Sequence, residues 1–257
     1  MTNLPESKYK VEQVIEGNQH FYDVTYNGKT TRYPGVTGML SIINKPALIN
    51  WAKKEALVLV ETALQRRLNG KQSARITLNK SWIEDVLKDA RKRPDTIKEE
   101  AADFGTQTHE IINAIIQGKE PSQIPDEILA PLNAFKDWWQ NSGISLIAGE
   151  VPVASIEHGY GGCLDALGVK GDSYILIDVK TSSGFWPEYA LQVAAYNQAL
   201  KETYGIECFK AIILKLGKKL PISFEVKTVA DLKLSLKAFL SAKALKESLS
   251  CSHFCEW

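Results

Sequence analysis

No apolar run in these 257 residues approaches the roughly 20 that a bilayer-spanning helix needs, so a membrane protein is not expected. The opening residues, MTNLPESKYKVEQ, lack the basic-then-apolar order of a secretory leader, and a cytoplasmic location is the expectation. Cysteine is scarce: Cys163, Cys208, Cys251 and Cys255, with no such leader, read as reduced thiols and not as a disulfide framework. The close pair in CSHFC, with His253 between, lacks a second ligand pair to complete a zinc site, and residues 251–257 read as a tail. Excess charge is missing too. Lys and Arg number 31 against 30 acids, so the net charge of +1 exerts no overall pull on a polyanion, and any nucleic-acid site must be a local groove. Low-complexity tracts are absent, and 44% hydrophobic with 24% charged residues is the make-up of a folded globular chain.

Basic runs occur at Lys53, Lys54, Arg66, Arg67, Lys71 and Arg75, at Arg91, Lys92 and Arg93, and at Lys215, Lys218 and Lys219. Each is a candidate phosphate contact, and each is equally the solvated face of a helix or strand. The length fits one catalytic domain with an N-terminal elaboration. Residues 9–34 alternate apolar and polar in short runs broken by EGN and NGK, the pattern of a β-hairpin or meander. A helix is expected from Pro46 to about Leu68, and a second over Lys80 to Arg93, stopped by Pro94. Asp95 is placed to cap a long helix to about Gln117, with Gly118 at its end and Ile97, Ala101, Phe104, Thr108, Ile111 and Ile115 on one stripe. After a helix over about Asp126 to Gln140 come three strand-like runs, ISLIAGEVPVA, YGGCLDALGVK and SYILIDVKT. A helix from Pro187, strands around AIILKLG and PISFEVK, and a helix from about Asp231 to Leu249 follow. This order predicts an α/β core with a mixed sheet.

In SYILIDVKT the residues Ile175, Ile177 and Val179 share one face while Leu176, Asp178 and Lys180 share the other, which sets Asp178 and Lys180 side by side about 7 Å apart. Gly171 and Asp172 suit a two-residue hairpin loop with positive φ, and counting back along both strands from that loop puts Asp165 opposite Asp178. If the preceding loop centres on Glu157 and His158, Glu150 faces Asp165 in turn. Like charges set opposite one another destabilise a sheet, and partly buried carboxylates must be paired, protonated or bound to metal. A divalent cation with oxygen ligands answers that need better than one lysine, although a salt-bridge network of Asp178 with Lys180 is the alternative.

His109 lies one turn after Gly105 in DFGTQTHE, and a glycine inside a helix points to a close approach of something to the backbone. Such a histidine becomes a candidate metal ligand through its combination with the carboxylates. Gln192 and Tyr196, four residues apart on the helix from Pro187, share a face shortly after Lys180.

Taken together, GTQTH, the glutamate of GEVPV, GCLDAL, ILIDVKTS and QVAAY resemble the motif series of the PD-(D/E)XK nucleases, in particular the RecB-like exonuclease branch that includes the mitochondrial genome maintenance exonuclease. The match runs in order over residues 105–196, and TRYPGVTGMLSIINKPALINWA resembles the opening of phage-encoded members. The resemblance implies a restriction-endonuclease-like core over residues 95–250, with a mixed central sheet flanked by helices. Residues 1–94 would then be an N-terminal hairpin and helical elaboration, with 36–94 as a cover over the cleft. It implies that His109, Asp165, Asp178 and the carbonyl of Val179 bind Mg²⁺ or Mn²⁺, that Lys180 positions or helps deprotonate the attacking water, and that Glu150 assists metal binding. It further implies that Gln192 and Tyr196 orient Lys180 and contact the scissile nucleotide. Members with an iron–sulfur cluster hold it with one cysteine before the nuclease motifs, and no cysteine precedes Cys163, so no cluster is expected.

The function expected on these grounds is a Mg²⁺- or Mn²⁺-dependent DNA exonuclease acting on free or single-stranded ends in phage or repair recombination. A structure-specific endonuclease, a nucleic-acid-binding module without turnover, and a hydrolase of small phosphate esters are the alternatives. Trp51, Trp82 and the basic runs favour a long substrate over a small one, because stacking plus phosphate contact is how single strands are held.

Overall fold

The structure, a computed structural model, describes residues 4–17, 19–43, 45–68, 78–121, 123–219 and 221–250. The CSHFC segment lies outside them, as do Lys71 and Arg75. By their internal packing the residues fall into two compact units, Met1–Ile43 with Gln107–Trp257, and Asn44–Thr106.

The first unit opens with a three-stranded antiparallel meander of β1 (Lys10–Glu16), β2 (Gln19–Tyr26) and β3 (Lys29–Pro34). Asn27 and Gly28 join β2 to β3 with positive φ at both positions, the two-residue turn that NGK signals and whose twist matches the strands. The short helix α1 (Val36–Leu40) follows and buries Val36, Met39 and Leu40. Two further helices, α2 (Pro46–Leu68) and the first part of α3 (Lys80–Ile116), make the second unit, where the guanidinium of Arg67 lies over the ring of Trp82.

One expectation fails in α3. The helix does not stop at Pro94 but runs through it, and Asn79 caps the start, its Oδ1 accepting from the Trp82 N–H at 2.9 Å. Asp95, expected as the cap, instead forms an ion pair with Lys98 one turn on. A proline costs an interior helix about 3 kcal/mol through a lost hydrogen bond and a ring clash. Here Pro94 is buried together with Ala90, one turn earlier on the same side, and that packing offsets the loss. The end of α3 is as the sequence foretells: Gly118 takes a φ of +74° and the Lys119 N–H reaches back to the Ala114 carbonyl.

A 3-10 turn (Asp126–Ile128) leads into α4 (Leu129–Ser142), and a five-stranded sheet follows in the order β4-β5-β6-β7-β8. Its strands are β4 (Ser145–Ser155), β5 (Tyr160–Lys170), β6 (Ser173–Lys180), β7 (Lys210–Leu216) and β8 (Phe224–Thr228). Neighbours run antiparallel except β6 and β7, which are parallel and joined by the crossover helix α5 (Pro187–Tyr204), so the sheet is mixed. The closing helix α6 (Leu232–Leu249) is capped by Asp231, whose side chain accepts from the Leu234 N–H. Val193, Ala195, Ala199 and Leu200 of α5 bury against Leu176, Ala211 and Ile213 of the sheet, and the α1 residues join the same core. No helix among the described residues is long and apolar enough to cross a membrane.

Candidate active site

The site forms where β5 parts from β6. Gly171, at φ +60°, turns the chain between them, and the pairs Leu167 with Leu176 and Ala166 with Ile177 continue in the register that puts Asp165 next to Asp178. The ladder ends there because the Asp165 side chain takes the place of a backbone partner: its Oδ2 accepts the Val179 N–H at 2.7 Å. On the other edge, Gly149 pairs with Ala166 and Val151 with Leu164, so Glu150 lies abreast of Asp165. The register matches the loop counting from sequence across both hairpins, apart from a bulge between Leu146 and Ala148.

Asp178 is 1% exposed. Lys180 donates to its Oδ1 at 2.8 Å and has its Nζ 2.7 Å from Oδ2, but hydrogen-bond geometry is met only at Oδ1, which leaves the buried Oδ2 without a hydrogen bond. His109, from the end of α3 that belongs to the first unit, brings Nδ1 to 3.3 Å from Asp165 Oδ1. His109, Asp165, Asp178 and Lys180 are therefore brought together, the Lys180 ammonium beside Asp178 and the His109 imidazole beside Asp165.

The four groups drive one another's acidity apart. Burial raises the Asp178 carboxyl and the charge of Asp165 adds to the rise, against the pull of Lys180. Asp165 moves the other way: burial raises it, but His109, Lys180 and the Val179 N–H outweigh that and hold it below the ordinary carboxylate value. Burial lowers His109, yet the charge and hydrogen bond of Asp165 leave it above its usual value. Burial likewise opposes the charge on Lys180, and Asp178 and Asp165 more than restore it. Two neighbouring carboxyl groups with opposite shifts are the pattern of a site with divided roles.

Glu150 holds an unusual backbone, with φ at +47° in the middle of a strand. A non-glycine residue there is strained by about 1–3 kcal/mol and persists only where its surroundings enforce it. Asn113, one turn beyond His109 on α3, donates from Nδ2 to Glu150 Oε2 at 2.6 Å, and its Oδ1 accepts from Gln117 Nε2 at 3.0 Å. Gly149 makes room for this arrangement, because a Cβ there would stand 2.5 Å from Asn113 Oδ1. Nothing in the sequence marks Asn113 beyond its place one turn after His109. Burial raises the Glu150 carboxyl, with the Asp165 charge acting in the same direction.

Gln192 and Tyr196 do share a buried face of α5, where Gln192 Nε2 donates to the Tyr196 hydroxyl at 2.8 Å. The Tyr196 ring stands over Gly162 of β5. The aromatic ring that meets Lys180 is that of Tyr189, one turn nearer the start of α5, with its centroid 5.1 Å from Nζ. Val179 contributes its N–H to Asp165, as noted, and is itself fully buried.

In sequence, no family model and no curated protein matches the chain. Among solved structures, a protein named SSO0001 is similar at 15% identity and a TM-score of 0.32, over 76% of this chain and 89% of that one. An alkaline exonuclease, LHK-Exo, from Laribacter hongkongensis is similar at 16% identity and a TM-score of 0.29, over 56% of this chain and 82% of that one. Likenesses this slight assign nothing, and the chemistry rests on the site itself.

Among the described residues, the trio whose ligand atoms lie within 4.8 Å of one another is Glu157, His158 and Glu202, so His109, Asp165 and Asp178 do not form such a closed set. The Glu202 carboxylate in that trio is already taken up by the Ser155 hydroxyl, the Gln198 amide and the Glu157 N–H, which together fasten the β4–β5 turn. Asp165 and Asp178 offer hard carboxylate oxygens of the kind that Mg²⁺ or Mn²⁺ takes, and one of them, Asp178 Oδ2, is buried without a hydrogen bond, with only the Lys180 ammonium beside it.

Proposed function

We propose that the protein is a metal-dependent nuclease that hydrolyses DNA phosphodiester bonds, with preference for free or single-stranded ends. The observation that carries the reading is the juxtaposition of Asp165, Asp178 and Lys180 at the parting of two strands, with the orphaned Oδ2 of Asp178 between the charges. Asp165 and Asp178 would hold Mg²⁺ or Mn²⁺, with His109 and the Val179 carbonyl beside them and Glu150 assisting. The bound ion supplies Lewis-acid neutralisation of the phosphoryl oxygens and lowers the pKa of water.

The chain's own groups do the rest. Lys180, hydrogen-bonded to Asp178, positions the attacking water or helps deprotonate it and balances charge on the phosphate. Water attacks phosphorus and gives up a proton, the bond to the leaving oxygen breaks, and that oxygen takes up a proton in return, both exchanged with Lys180 or with solvent. Glu150, held by Asn113, presents a third carboxylate toward Asp165. Gln192 and Tyr196 wall the site from α5 and support the lysine strand.

The test is cleavage of end-labelled single-stranded, duplex and circular DNA with Mg²⁺, with Mn²⁺ and with chelator. Lys180→Ala is expected to abolish cleavage while DNA binding persists, and metal-dependent activity retained by that variant would refute the role of Lys180. Steady degradation of closed circles would assign an endonuclease instead. A second reading has an observation of its own: Lys180 stands beside Asp178 and the His109 imidazole beside Asp165, so pairing within the chain is the alternative to a bound ion. A nucleic-acid-binding module without turnover would keep such pairing, and it would show no Mn²⁺-dependent cleavage at all.

A further inference from the structure

The face of the sheet that carries Asp178 and Lys180 continues past them. Asp178 lies beside Ile213 on β7 and Ile213 beside Lys227 on β8; one row on, Lys180 lies beside Lys215 and Lys215 beside Glu225. Residues paired across strands point to the same side. Ile213 and Lys227 form the floor of a cavity of about 340 Å³ whose walls are Phe185, Trp186 and Tyr189 before and within the first turn of α5, with Leu234 of α6 opposite. The cavity carries one cation, Lys227, whose Nζ is 4.5 Å from the Phe185 ring centroid, and one acid, Asp231; Lys215, its Nζ 5.3 Å from the same ring, stands outside the lining and is ion-paired with Glu225. Tyr189 belongs both to this wall and to the cation–π contact with Lys180, so the cavity and the candidate active site share that side chain.

We propose that this cavity is a base-binding subsite: it takes one base of a single-stranded nucleic acid whose neighbouring phosphate lies at Asp178 and Lys180. The inference rests on the nuclease reading. Aromatic walls give a stacking surface that accepts any base, and Lys227 gives a flanking phosphate a partner. The floor spans β7 and β8, one and two strands from Asp178, so it lies roughly 5–10 Å away at the ordinary strand spacing. An apolar peptide would use the aromatic wall but leave Lys227 without a role. The volume is near the lower end of the roughly 300–1,000 Å³ typical of small-ligand sites, room for a base and not for a helix.

The test is fluorescence anisotropy of a labelled single-stranded oligonucleotide in chelator, with the wild-type chain and with Trp186→Ala, Trp186→Phe and Lys227→Ala. Trp186 is 38% exposed, and thermal melts check that its replacement leaves the fold intact. Trp186→Ala is expected to bind about tenfold more weakly and Trp186→Phe close to wild type. Lys227→Ala should lower the slope of log affinity against log salt by about 0.7. An oligonucleotide scanned with single abasic positions should lose affinity for wild type at one or two positions and show no such loss with Trp186→Ala. Wild-type affinity, salt slope and abasic profile in these variants, with Mn²⁺-dependent cleavage intact, would overturn the subsite and spare the nuclease reading. A chain that neither binds nor cleaves single strands would overturn both. Unchanged oligonucleotide affinity together with weakened binding of an apolar probe peptide would assign the cavity to a protein partner and overturn the proposal.

Discussion

Glu150 offers a prediction whose sign is unusual. An L-residue in the left-handed region loses about 1–2 kcal/mol to the clash of its Cβ with backbone, and glycine escapes that loss at an entropic cost of about 0.5–1 kcal/mol. At an ordinary strand position glycine is the worse choice by that same entropic margin. At residue 150, with φ at +47°, the balance inverts. Glu150→Gly and Glu150→Ala both give up the hydrogen bond from Asn113, so that loss cancels between them, and only the backbone contribution remains. Glycine should therefore be the more stable variant by about 0.5–1 kcal/mol. Urea denaturation of the two proteins, followed by circular dichroism in chelator, measures the difference. If the alanine variant is as stable as the glycine variant, or more so, the backbone at residue 150 is not held in the left-handed region by the ladder on either side of it. Neither variant keeps the carboxylate, so both should lose cleavage if Glu150 serves the metal.

Three other outcomes follow from the same geometry. In metal-free protein the His109–Asp165 pair stabilises the fold most between the ordinary carboxylate value of 3.8 and the ordinary imidazole value of 6.5. The raised folded pKa of His109 means its share is lost as pH rises through that higher value, and the lowered pKa of Asp165 means its share is lost as pH falls below 3.8. The stability deficit of His109→Ala should accordingly shrink at pH 9 relative to pH 5.5, and a deficit independent of pH would contradict the ion pair. Gly162→Ala sets a Cβ 2.3 Å from the buried Tyr196 ring and should cost about 1–3 kcal/mol in urea, with loss of the Gln192 contact; a neutral effect would show that Tyr196 is free to move. Asn113→Ala should reduce cleavage while leaving DNA affinity near wild type, and Asn113→Asp should not rescue it, since a carboxylate facing Glu150 repels; rescue by aspartate would show that the residue acts otherwise.

Much of this site is legible in the sequence because turn chemistry fixes register. Gly171 needs a left-handed loop, and once that loop is placed every cross-strand pair of β5 and β6 follows; the β4–β5 hairpin obeys the same logic through its four-residue loop. The mixed sheet and the crossover helix with proline at its start follow from element order. What escaped depends on packing between distant residues. Pro94 signals a stop by local rules, and its burial with Ala90 overrides them. Glu150 carries no mark of positive φ, and its partner Asn113 lies 37 residues earlier. Helical spacing gives which residues of α5 share a face but not which turn reaches Lys180, so Tyr189 carries no mark in the sequence. The contact of His109 with Asp165 joins residues far apart in the chain, and local pattern does not reveal it.

Calorimetric titration of Mn²⁺ into the chelator-stripped protein bears most directly on whether the paired carboxylates form a cation site. Wild type is expected to bind, Asp165→Asn and Asp178→Asn to lose at least about tenfold in affinity, and His158→Ala, in the trio that fastens the β4–β5 turn, to bind as wild type does. Tight binding that survives Asp178→Asn, or that disappears with His158→Ala instead, would contradict the assignment.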